Sequence, residues 1–243
     1  MFPSTLTPHA VSTEATSFEG SVWRMVEAQH YTSTMKLVDD PDEHDLLEQL
    51  LDDSKPSIPS SLDGFHYLLA TPFRYPSRRG GTRFRAQSDP GVFYGSGSLR
   101  TSCAELGYWR WRFLMAAPEV CAIDPVSHTA FATRIKASAI DIRQGNMAKH
   151  RALWMHPQDY SHTQQLSRVV RQSGVQSILY ASVRDLEDGW CLALLNPLGF
   201  ADKAPQTATQ TWNLTVTRES VYWRRDQNEH FLFHADQLSG IGR

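Results

Sequence analysis

The sequence predicts an α+β fold in which helices and strands are partly segregated along the chain. Three observations lead to this class. Strand-like segments are concentrated in the second half, and no regular strand–helix alternation is present. The chain has 243 residues, of which 41% are hydrophobic and 21% charged, and it contains no low-complexity linker. These values are typical of a globular protein with a single well-formed core.

The first elements precede residue 60. Residues 1–20 are rich in Ser, Thr and Pro, so we expect a loosely ordered lead-in there. Ser21–Ala28 alternates as a strand does. A helix is predicted to begin after Asp40, a suitable N-cap, with Glu43 at the capping-box position. Four leucines at helical spacing follow, and the helix is predicted to end near Lys55.

The central segment combines a strand-like run, a loop and a helix. His66–Thr71 is interpreted as a strand, and Pro72–Pro90 as an exposed loop rich in arginine and glycine. Val92–Gly95 predicts a short strand, and Thr101–Leu114 a helix. The residues at the spacing of one helical face are Leu106, Trp109, Arg110 and Phe113.

The second half predicts mostly strands. Thr129–Ile142 alternates as a half-buried strand, and Ser161–Gln172 reads as a helix that Gly174 closes. Turn residues separate most of the remaining candidates. These candidate strands are Val175–Ser182, Trp190–Leu195, Thr211–Thr217, Ser220–Arg225 and Phe231–His234.

Composition bounds the function classes. The formal net charge is −2, so no global field favours a polyanionic partner. No secretory signal is visible, and no apolar run approaches the roughly 20 residues that span a bilayer. Three cysteines (Cys103, Cys121 and Cys191) without a CxxC pair are typical of reduced thiols. We expect a cytoplasmic protein with no membrane partner.

Common nucleotide and metal motifs are missing from the sequence. It contains no GxGxxG after a strand, no GxxxxGK[ST] and no GxSxG. His230 and His234 lie four apart in a predicted strand, with no Cys or carboxylate at ligand spacing. We therefore expect no metal.

The most informative stretch is residues 70–113, which contains RRGGTRFR, VFYGS and TSCAELGYW. With YASVRD further on, it resembles the RES-domain family, in which an arginine-rich turn, a strand ending in Tyr, a helix bearing Glu and a strand ending in Ser form the site. The resemblance extends over roughly residues 20–235. The matching residues are Arg79, Arg83, Tyr94, Glu105 and Ser182.

The resemblance implies a fold, a substrate and a partner. The fold is an ADP-ribosyltransferase-like split β-sheet core with flanking helices, here as a single NAD-binding domain over residues 21–243. Members consume NAD by hydrolysis, phosphorolysis or transfer to a protein, and an Xre-type antitoxin typically neutralises them. We therefore expect a NAD-cleaving toxin, nucleic-acid contact only through the antitoxin, and a possible homodimer. Arg79 and Arg83 are the first choices for the essential arginine, and Arg74 and Arg24 the next.

These residue types suit cleavage of the nicotinamide–ribose bond. Positive charge builds on the ribose as that bond breaks, and an ionised Glu105 stabilises it. Guanidinium groups suit the diphosphate, because their fork matches two phosphate oxygens. Tyr94 offers a flat face and a hydroxyl, and Ser182 a hydroxyl for ribose or amide groups.

Plainer interpretations remain open for the same residues. Ser102-x-x-Glu105 is itself a capping box, and the arginines suit a solvated basic loop. Trp109 and Trp111 favour a role in the core. The functional alternatives are a protein ADP-ribosyltransferase and a non-enzymatic nucleic-acid-binding module that uses the arginine loop and aromatic rings.

Overall fold

Eight strands of the computed structural model form one mixed sheet with helices around it, which confirms the α+β class. The structure describes residues 3, 6–28, 38, 40–75, 81–206 and 208–240. The strands are Thr16–Glu27 (β1), Phe93–Ser96 (β2), Ala122–Asp141 (β3), Ser177–Ala181 (β4), Trp190–Leu194 (β5), Gln210–Thr217 (β6), Ser220–Arg224 (β7) and His230–His234 (β8).

Seven α-helices of the described residues precede, separate or follow these strands along the chain. The α-helices of the described residues are Pro8–Glu14 (α1), Pro41–Asp53 (α2), Tyr67–Arg74 (α3), Leu99–Met115 (α4), Arg151–Trp154 (α5), Ser161–Gln172 (α6) and Ala235–Gly240 (α7). Short 3-10 helices cover Ser60–Leu62, Met147–His150 and Pro197–Gly199.

The long strand β3 divides the sheet into two halves. One edge of β3 pairs antiparallel with β1 from residue 128 to residue 139. On the other edge, β6 pairs antiparallel with the beginning of β3, and β4 pairs parallel with its last residues. The β6 half continues to β7 and β8, while the β4 half continues to β5 and β2 and returns to β1. This division is the split core that the family resemblance implied.

Helix α4 packs against the β6–β7 part of the sheet. Its buried side includes Tyr108, Trp111 and Leu114, which belong to one core cluster with Trp212 and Trp223. The predicted apolar face was wrong, because it points outward: Trp109 is 49% exposed and Phe113 is 67% exposed. The helix carries large apolar residues on several sides, so spacing alone does not identify the buried one.

Two segments differ from the expectation. The expected loose lead-in at residues 1–20 contains α1, which Thr7 caps, and the first residues of β1. Val11 of α1 is 1% exposed and joins the core, so burial of this side chain fixes the segment.

The predicted strand His66–Thr71 was wrong, because these residues begin α3, where His66 Nδ1 accepts from the backbone N–H of Leu68. A short apolar run fits a buried helix as well as a strand.

Candidate active site

A cavity of about 470 Å³ opens beside α4, in the range of ligand pockets. Its wall comes from β1, β2, β4, β5, α4, the turn at residues 81–83 and the residue before α6. The lining residues are Arg24, Met25, Gly81, Thr82, Arg83, Tyr94, Gly95, Ser96, Ser102, Glu105, Leu106, Trp109, Tyr160, Tyr180 and Cys191.

Glu105 presents a carboxylate to this cavity from the second turn of α4. The N-cap of α4 is Ser98, whose hydroxyl accepts from the backbone N–H of Thr101 at 3.1 Å. Ser102 donates to the carbonyl of Trp23 at 3.0 Å, so the capping-box interpretation of Glu105 was wrong. Glu105 Oε1 instead accepts a 2.6 Å hydrogen bond from Ser182 Oγ.

Ser182 lies behind Glu105 rather than on the cavity wall, and it is 6% exposed. Its Oγ accepts from the backbone N–H of Arg184 at 3.1 Å and of Asp185 at 3.0 Å. With both acceptor directions occupied, the hydroxyl proton points at Glu105. Ser182 therefore fixes one oxygen of the carboxylate.

Asp185 links the segment at residues 182–185 to the first turn of α4. Its buried carboxylate forms an ion pair with Arg100 and accepts from Thr101 Oγ1 at 2.7 Å. Gly189 is needed there, because a Cβ would come within 2.7 Å of both Asp185 Oδ2 and Thr101 Oγ1. The donor and the acceptor of the Ser182–Glu105 bond are thus held on linked segments.

Tyr94 occupies the opposite side of the cavity, and its hydroxyl holds the turn at residues 82–85. The hydroxyl accepts from the backbone N–H of Phe84 at 2.9 Å and lies 2.7 Å from Thr82 Oγ1. Burial raises the pKa of Tyr94 above its usual value, so the phenol stays neutral. Gly81 begins this turn with a φ of +68°, a conformation that favours glycine.

Arg24 lines the cavity from β1. It donates to the carbonyl of Tyr94 at 2.8 Å, and its guanidinium carbon lies 4.9 Å from the centroid of the Phe93 ring. Its Nε is buried and has no hydrogen-bond partner among the residues that the structure describes. Burial lowers the pKa of Arg24 to about 10. An enclosed cation with a donor to spare is suited to an anionic ligand.

Arg83 also lines the cavity, but protein groups engage it more fully. It is 8% exposed and donates to the carbonyls of Trp154 at 2.9 Å and His156 at 3.1 Å. Its guanidinium carbon lies 4.7 Å from the centroid of the Tyr160 ring. Arg83 therefore joins the segment before α6 to the turn at residues 82–85.

The structure describes one of the other two candidate arginines, and that one is not brought into this group. Arg74, at the end of α3, donates from Nε to the carbonyl of Pro56 and does not line the cavity. Arg79 lies outside the described residues.

The sequence interpretation missed several residues of the wall. Trp109 was assigned to the core, yet it lines the cavity one helical turn beyond Glu105. That spacing was the available signal, because residues four apart share a helix face. Cys191 and Tyr180 form the floor, and burial raises both pKa values, so the thiol and the phenol stay neutral.

The described residues contain neither a candidate metal site nor a candidate membrane span. Within those ranges, no group of three or more His, Cys, Asp or Glu side chains is placed to hold a metal ion. Likewise, none of the described helices has the length and apolar character to cross a bilayer.

Fold and cavity together define an α+β protein with a ligand-sized pocket that one carboxylate and two arginines line. The family model of the RES domain matches residues 58–217, about two thirds of the chain, and the protein belongs to that family. A chain in the crystal structure of the M. tuberculosis MbcT–MbcA toxin–antitoxin complex is similar at 11% identity and a TM-score of 0.47, over 98% of both chains. None of the curated proteins compared with the chain matches it.

Proposed function

We propose that this protein cleaves the nicotinamide–ribose bond of NAD in the cytoplasm, with residues 21–243 acting as one NAD-binding domain. Membership of the RES domain family supports the substrate, since members of that family consume NAD. The single observation that carries the proposal is the Glu105 carboxylate, which Ser182 holds at 2.6 Å inside a cavity that also contains Arg24 and Arg83.

Each group has a distinct part in this reaction. Glu105 stabilises the positive charge that develops on the ribose as nicotinamide departs. Nicotinamide leaves as a neutral amide, so the reaction needs no strong general acid. Arg24, which lines the cavity as a buried cation, binds the diphosphate. Ser182 does not line the cavity, so it acts as a positioning residue for Glu105.

The acceptor that we favour is water or phosphate. A protein acceptor is often activated by a second carboxylate two residues before the catalytic one. That position is Cys103, which is 0% exposed, and burial raises the pKa of its thiol. The side chain at this position therefore offers no charged group to an incoming nucleophile.

The resemblance to toxin–antitoxin proteins also supports a partner. An enzyme that destroys NAD is lethal to its own cell unless it is held in check, so we propose an Xre-type antitoxin that covers the cavity. Expression without the partner should arrest bacterial growth, and Glu105→Gln should relieve the arrest. If this variant is equally toxic, the growth arrest does not come from cleavage of NAD.

The direct test is to incubate the purified protein with NAD, with and without inorganic phosphate, and identify products by mass. ADP-ribose formed at a rate independent of phosphate indicates hydrolysis. A phosphorylated ADP-ribose that requires phosphate indicates phosphorolysis. Label transferred from NAD to a protein, with neither small product, contradicts the small acceptor, and unchanged NAD contradicts the proposed function.

A further inference from the structure

Trp109 is an unusual residue for an exposed helix position. Its indole is 49% exposed, although burying such a ring on folding is normally favourable. It lies on the face of α4 that also carries Ser102, Glu105 and Leu106, and all four residues line the cavity. The exposed indole therefore faces ligand space rather than open surface alone.

The indole is supported from the side away from the cavity. Arg184 is 2% exposed, and its guanidinium carbon lies 3.6 Å from the centroid of the Tyr108 ring and 5.6 Å from that of Trp109. The Tyr108 and Trp109 rings meet edge to face, with centroids 5.4 Å apart. Contacts of this kind hold a ring in place before a ligand arrives.

A second aromatic residue, Tyr160, lines the same cavity, and its hydroxyl is 3.5 Å from Arg184 Nη2. Tyr160 also donates to the carbonyl of Pro157 at 3.2 Å and packs against Arg83. Arg184 thus contacts the indole of Trp109 and the hydroxyl of Tyr160. We call Trp109 and Tyr160 the aromatic slot.

We propose that Trp109 stacks on a flat heteroaromatic ring of the dinucleotide at the aromatic slot. This inference rests on the proposed function. Four residues of α-helix separate Glu105 from Trp109 by about 6 Å along the axis, so a ring on Trp109 lies close to the sugar that Glu105 contacts. Nicotinamide and adenine share the required chemistry, a planar π-system without bulk. Stacking contacts the flat face of a base and not the substituents at its edge. Binding at the slot should therefore tolerate different edge substituents.

The test measures binding without turnover, in a Glu105→Gln background. Calorimetry with ADP and with nicotinamide mononucleotide separates the two rings. Trp109→Leu should weaken at least one of these ligands by about tenfold or more, as removal of a base-stacking aromatic does. Trp109→Phe, which keeps a ring, should recover most of the lost affinity.

The matched control is Phe113→Leu. Phe113 is an exposed aromatic residue one turn further along α4 and outside the cavity lining, so this variant should bind both ligands as the background does. Unchanged affinity for both ligands in Trp109→Leu overturns the inference, and so does an equal loss in Phe113→Leu. If the background protein binds neither ligand and the parent leaves NAD intact, the proposed function fails instead.

Discussion

The two sides of the cavity differ in how completely their polar groups are paired. On the carboxylate side, Glu105, Ser182 and Asp185 are linked through hydrogen bonds and a buried ion pair. On the arginine side, Arg24 keeps a buried Nε that has no partner in the part of the chain that the structure describes. A carboxylate whose orientation is fixed before the ligand arrives is preorganised, whereas an unpaired buried donor costs stability. The difference supports the proposed division of roles, with the chemistry on the carboxylate side and anion binding on the arginine side.

Among the groups assigned to binding, the largest effect should come from Arg24. Arg24→Met should weaken ADP binding by about tenfold or more, because it removes the donor with spare capacity. The free energy of unfolding should fall by less than in Arg83→Met, because Arg24 donates to one carbonyl, that of Tyr94, whereas Arg83 donates to two. Calorimetry and chemical denaturation measure the two quantities.

Arg83→Met is the matched variant for that comparison. It leaves the carbonyls of Trp154 and His156 without this donor, so the free energy of unfolding should fall by about 1–3 kcal/mol. If Arg24→Met destabilises the protein as much as Arg83→Met and binds ADP normally, Arg24 is structural. The diphosphate then lies elsewhere.

Ser182→Ala should lower kcat by about tenfold while ADP affinity stays unchanged, because the carboxylate loses its fixed orientation but the binding groups remain. Steady-state kinetics and calorimetry separate the two effects. Ser167→Ala is the control, since Ser167 is also a buried serine, and it donates to the carbonyl of Gln164 at 2.9 Å away from the cavity. A kcat equal to that of the parent in Ser182→Ala would show that Glu105 needs no such support.

Asp185→Asn should lower kcat severalfold and destabilise the protein, because a buried ion pair loses one charge. Denaturation should show a loss of about 2 kcal/mol, less than a fully buried pair loses, since Arg100 is 28% exposed. Glu229→Gln breaks the exposed pair with Arg225 and should cost under about 1 kcal/mol. If the two variants lose the same free energy of unfolding, Asp185 does not act as a buried link between these segments.

Sequence motifs predicted the carboxylate side better than the arginine side. TSCAELGYW and YASVRD named Glu105 and Ser182, and the structure brings these two within hydrogen-bond distance. The motifs put Arg83 before Arg24, but a motif names cations without their partners. The difference between the two arginines depends on carbonyls contributed by Trp154 and His156, about seventy residues away in the chain.

Prediction from local sequence patterns also failed where tertiary packing determines the structure or the buried face. Helix α4 carries apolar residues around most of its circumference, so its spacing did not reveal that Trp109 faces the cavity. His66–Thr71 is short and apolar, and it forms part of a helix whose Leu68 and Leu69 are buried in a core cluster. Longer elements were predicted well: Ser161–Gln172 is confirmed with the same bounds, because its apolar positions repeat at a clear helical period.

The most direct test of the central claim is NAD consumption by the purified protein and by Glu105→Gln, measured side by side under identical conditions. The substitution keeps the size of the side chain and removes its charge, and the exposed Glu119→Gln serves as the control. We expect Glu105→Gln to remain folded by circular dichroism and to lose NAD consumption by at least about two orders of magnitude, as removal of a transition-state-stabilising group does. Near-normal turnover by a folded Glu105→Gln protein would contradict the account.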